Sequence, residues 1–176
     1  MSSTYKVGVV FEGIAHASLG LVSRVLPEAV VSEAGALTTV KATVRAAGPT
    51  AAVSRLVERV TKAVPAAVPV RVGQDLVSVS DIAQRVDRTR ESVRLLVEGT
   101  RGPGGFPPPV GVVGDGIRVW PWSAVLDWFN EVLGIDLGEN GVPPLTAAVL
   151  DVSFATRRSP QLASAMGRGW LTGKAN

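Results

Sequence analysis

The chain has 176 residues, 46% of them hydrophobic and 19% charged, a balance that suits one medium or two small folded domains and argues against extended disorder. Its formal net charge of +3 favours an anionic partner only weakly, and the absence of cysteine excludes disulfides, thiol catalysis and thiolate-bound zinc. No apolar run reaches the ~18 residues that span a bilayer, and MSSTYKVGVV lacks the pattern of a signal peptide, so a cytoplasmic protein without membrane contact is expected.

Residues 5–11, YKVGVVF, are rich in β-branched and aromatic side chains and read as a strand. A short helix is predicted over 19–26, stopped by Pro27. Residues 29–31 and 37–46 then read as two strands around a turn at 33–36. In the second, Thr39, Lys41, Thr43 and Arg45 point outward while Val40, Ala42 and Val44 point inward. Pro49 suits the first position of a helix over 50–63, whose Val53, Leu56, Val57 and Val60 form one face. Residues 68–72 complete the set. Strand, helix, strand, strand, helix, strand is the order of a ferredoxin-like split βαβ unit.

The next segment, VSVSDIAQRVDRTRESVRLLVEG over 77–99, carries the functional signal. Ser78 and Asp81 have capping-box spacing, so a helix should begin near Val79 and bury Val79, Ile82, Ala83 and Val86. Thr89 can cap a second helix over 90–98 with Val93, Leu96 and Val97 inward, and Gly99 supplies the stop. Two short helices joined tightly leave Thr89, Arg90, Glu91, Ser92 and Arg94 outside, the geometry that delivers side chains into a major groove. The same pattern also suits a plain helical hairpin.

Beyond it, Phe106 leads through prolines into a hairpin of 110–113 and 117–120, joined by Gly114, Asp115 and Gly116, where Asp-Gly favours the turn. Ser123 can cap a further helix with Val125, Leu126, Phe129, Val132 and Leu133 inward, and Trp122 and Trp128 are expected to close the small core. Residues 141–144 read as a linker, 145–155 as a helix, and 159–176, with Trp170, as a mobile tail.

IAQRVDRTRESVRLLVEG followed by TRGPGGFPPPVGVVGDGIRVWPWSAVLDWF resembles the winged helix-turn-helix of small MerR-type and excisionase-like bacterial DNA-binding proteins. The resemblance covers the middle of the chain and is carried most specifically by the Gly105 to Pro107 turn, by Trp120 and Trp122, and by the helix after them. It implies that the second helix reads base edges and that the hairpin acts as a wing. The sequence departs from the pattern at the turn, where Asp87 replaces a glycine and Arg88 an apolar residue.

The fold class expected is therefore α+β: a ferredoxin-like domain at 1–73 for dimerisation or ligand sensing, a winged helix-turn-helix at 74–134, and an extension at 135–176. The function expected is sequence-specific binding of double-stranded DNA by a homodimeric transcriptional regulator. Thr89, Arg90, Glu91, Ser92 and Arg94 are the candidates for base contact, and Arg88, Arg101 and Arg118 for backbone and wing contacts. An excisionase-like architectural factor, an antitoxin component, or a protein-interaction module without DNA are the alternatives. No cofactor, metal or enzyme activity is expected: His16 stands alone, Gly102, Gly104 and Gly105 lack the rest of a phosphate loop, and Glu12, Asp127 and Glu131 form no acid-base arrangement.

Overall fold

The computed structural model describes residues 2–159, and the expected tail beyond them, with Trp170, lies outside the described residues. The protein is of the α+β class, with antiparallel sheets. Strands β1 (Ser3–Glu12), β2 (Val30–Ala34), β3 (Leu37–Ala46) and β4 (Val68–Gly73) make a four-stranded sheet in the order β2-β3-β1-β4. Val7, Val9 and Phe11 of β1 and Val40 and Val44 of β3 share one face and are buried beneath α1 (Leu19–Val25) and α2 (Pro49–Ala63), while Val10, on the opposite face, is buried as well. Helix α2 contributes Ala52, Val53, Leu56 and Val60, and each such fully buried branched side chain stabilises by roughly 1.5–3 kcal/mol. The β2–β3 turn is tighter than the sequence suggested. Glu33 stays in the strand and only Gly35 and Ala36 turn, because Gly35 takes φ +61 at no steric cost.

A second apolar core forms around α3 (Val79–Arg85), α4 (Arg90–Val97) and α5 (Trp122–Glu131). Strands β5 (Leu76–Val77), β6 (Gly111–Val113) and β7 (Ile117–Pro121) pair in the order β5-β7-β6. Trp120, Trp122 and Trp128 are all buried, and their indole N–H groups are satisfied. Trp120 donates to Pro107 O at 2.9 Å, Trp128 to Gly104 O at 3.1 Å and Trp122 to Glu139 Oε2 at 3.0 Å.

Two sequence expectations change here. Ser123 caps nothing: α5 starts two residues earlier than a Ser123 cap would set it, its first N–H donates to Asp75 O at 2.7 Å, and Ser123 is buried where a Cβ on Gly141 would stand 2.9 Å from its own. Val132 lies past the end of α5 and is exposed. The β6–β7 loop turns at Gly114, Asp115 and Gly116 as expected, with positive φ on the two glycines.

Helix α6 (Pro144–Arg158) returns to the first core. Ala147 and Phe154 join it, and Asp151 Oδ1 accepts the Val72 N–H at 2.5 Å, so α6 covers the otherwise open edge of β4. The chain reaches α6 by way of Glu139 and Asn140, which tie the two cores together. Lys6 Nζ donates to Glu139 Oε1 at 2.5 Å, and the Lys6 N–H donates to Asn140 O at 2.8 Å. Among the described residues no helix is long and apolar enough to cross a membrane.

Candidate nucleic-acid interface

The candidate surface rests on how α3 and α4 are joined. Ser78 and Asp81 form the full capping box: the Asp81 N–H donates to Ser78 Oγ at 3.3 Å, and the Ser78 N–H donates to Asp81 Oδ2 at 2.8 Å. The Ser78 hydroxyl and N–H hold the Asp81 carboxyl below its ordinary range. At the far end of α3, Asp87 takes φ +51 and the Arg88 N–H donates to Ala83 O at 2.9 Å, the six-to-one bond of a Schellman turn. Aspartate is one of the few side chains that tolerates this left-handed conformation. Arg88 stays exposed with its guanidinium 5.7 Å from the Phe129 ring centroid.

Thr89 caps α4, accepting the Ser92 N–H at 3.1 Å, so its hydroxyl orients the helix. Gly99 at φ +68 ends α4 with a second Schellman turn, the Gly99 and Thr100 N–H groups donating to Leu96 O and Leu95 O at 3.1 Å each. Val93 and Leu96 are buried toward α3, leaving Arg90, Glu91 and Arg94 exposed and Ser92 half-buried.

The five α4 candidates therefore share one short stretch but differ in readiness. Arg94 is clamped by two carboxylates, Glu91 at 2.6 Å and Glu98 at 2.5 Å. These bonds, Glu91 first, raise the Arg94 pKa and lower that of Glu91. Arg90 has no ion pair or side-chain hydrogen bond among the described residues. Arg101 is likewise exposed and unpaired there, just past α4, while Arg118 lies 5.6 Å from the Trp120 ring centroid on the hairpin. The hairpin itself is apolar outside, with Val112, Val113 and Ile117 exposed.

One structural arginine pairing is not legible in the sequence. Arg85 makes a two-pronged pair with Asp75, at 2.6 and 3.0 Å, and lies 4.9 Å from the Trp122 ring centroid. The Asp75 hydrogen bond raises its pKa against the opposing effect of burial. It fixes α3 to the segment that enters from β4. The ten residues between them span strand β5 and the length of α3, a separation that matches no helical or strand spacing, so no local signal marks the pair.

Elsewhere, His16 Nδ1 is 2.8 Å from Glu33 Oε2 in an exposed pair, and Asp127 on α5 has its carboxyl pKa raised by burial and then by Glu131. Among the described residues no group of three or more His, Asp or Glu could hold a metal ion. Comparison with known proteins finds no protein family, no curated protein and no solved structure that matches this chain.

Proposed function

We propose that the chain binds double-stranded DNA in a sequence-specific way and acts as a homodimeric transcriptional regulator in the cytoplasm. On this reading a ferredoxin-like split βαβ unit precedes a winged helix-turn-helix. The strand order β2-β3-β1-β4, every neighbour antiparallel, supports the first label, and the succession β5-α3-α4-β6-β7-α5 supports the second. The single observation that carries the reading is the tight α3–α4 junction, capped at Thr89 and closed at Asp87, with a polar helix face exposed directly after it.

In this reading Arg90 is the first α4 side chain to reach DNA, since it breaks no existing pair. Arg94 must exchange Glu91 and Glu98 for a phosphate or a guanine edge. Arg88, Arg101 and Arg118 supply backbone contacts. The dimer contact is assigned to α6, whose Leu145, Val149 and Val152 are exposed at four- and three-residue spacing on one outer face.

One observation favours a second reading, a protein-interaction module: the hairpin presents Val112, Val113 and Ile117 outward where a wing would present cations. Selection of genomic fragments by the purified protein, followed by titration of the bound fragment in salt, separates the two. DNA binding gives enriched sites and affinity falling with a log-log slope near −0.9 per phosphate contacted. No enrichment, or binding indifferent to salt, overturns the DNA reading.

A further inference from the structure

A cleft of about 210 Å³ lies where the face of the four-stranded sheet opposite α1 and α2 meets the start of α5. Its floor is set by strand register. Val30, Lys41, Gly8 and Gly73 pair in succession across β2, β3, β1 and β4, so they form one row on one face. The two glycines leave half of that row without side chains. A Cβ on Gly73 would stand 3.5 Å from Gly8 C, and one on Gly8 would stand 3.3 Å from Lys41 Cγ, so the lysine stem already lies along the floor.

The charges lining the cleft are unequal in their commitments. Lys6 is neutralised by Glu139, and Asp75 by Arg85. Lys41 has no ion pair or hydrogen bond to its side chain among the described residues, and it shares the cleft with Val142, Val30 and the Trp122 wall. An uncommitted ammonium beside apolar lining suits a ligand with one carboxylate and an apolar body. Glu28 also lines the cleft without a partner among the described residues, which disfavours a second negative charge on the ligand. The volume falls below the ~300 Å³ at which drug-sized sites begin, so the ligand is of metabolite size.

We propose that this cleft is a binding site for a small monocarboxylate, its carboxylate on Lys41 and its apolar body over the Gly8–Gly73 floor. Occupancy here does not depend on whether α4 meets DNA, so the two readings fail separately.

The test is calorimetric titration of the full chain, without DNA, with benzoate and isovalerate and with their amides. Saturable binding of at least one acid is expected, with its amide weaker by about tenfold or more, the range of a lost charge-assisted hydrogen bond. Lys41→Met, which keeps the stem, should remove binding without moving the melting temperature. Gly73→Val, which puts methyl groups over the floor, should remove it in a protein that still melts cooperatively. No saturable heat from either acid overturns the proposal, as does an amide that binds as tightly as its acid or binding that survives either substitution.

Discussion

Arg90 and Arg94 sit one helical turn apart, yet only one of them is uncommitted, and that difference has a measurable consequence. On the proposed reading, Glu91 and Glu98 would compete with DNA for the Arg94 guanidinium. Replacing both with glutamine should tighten binding to a selected DNA fragment, whereas Arg90→Ala should weaken it and lower the salt slope by about one if Arg90 meets a phosphate. Fluorescence anisotropy across a salt series reads both. Unchanged affinity in the glutamine variant would mean that Arg94 makes no contact with DNA. The fork itself was within reach of the sequence, since Glu91, Arg94 and Glu98 stand at three- and four-residue spacing on α4. The pairing of Lys6 with Glu139 was not, because 133 residues separate the partners and neither carries a local pattern.

Among the elements, α3 is the one most fully specified by its own residues. Ser78→Ala removes the oxygen that accepts the Asp81 N–H and one of the donors to Asp81, and should cost about 1 kcal/mol in urea unfolding. The pH dependence follows from the same bond. The folded Asp81 pKa is depressed, so its contribution is fully present above the ordinary carboxylate value and is lost as pH falls through the lowered one. Ser78→Ala should therefore flatten part of the acid-side loss of stability between about pH 5 and the onset of acid unfolding. Equal destabilisation at pH 7 and pH 3 would rule that linkage out. Periodicity made α2 and α4 legible, because each buries a regular face. It gave the buried face of α5 but missed its start, which is set by the Trp122 N–H reaching Asp75 O and by the close packing of Gly141 on Ser123, contacts between distant segments that no window of sequence contains.

At the scale of the molecule, two cores are held by paired charges and a returning chain. Burial alone would raise the Glu139 carboxyl, yet the Lys6 and Trp122 hydrogen bonds hold it below its ordinary range. The dimer assignment is best tested in the full chain by Leu145→Glu with Val149→Glu. Both side chains are exposed, so folding should persist while sedimentation shifts from dimer to monomer. A wild-type monomer, or a dimer that survives both charges, removes α6 as the interface. Deleting residues 1–73 would be a poorer test, since α6 would lose the core that Ala147 and Phe154 complete.

That last packing relation also orders the birth of the protein. Chains emerge from the ribosome N-terminus first, so all four strands of the larger sheet are in solution well before Asp151 and Phe154 exist. Until α6 has been synthesised, the outer edge of β4 has nothing to cover it and can pair with another nascent chain. The second core, complete by Glu139 and so before α6, can form during that interval, which makes the later unit in sequence the earlier one able to close.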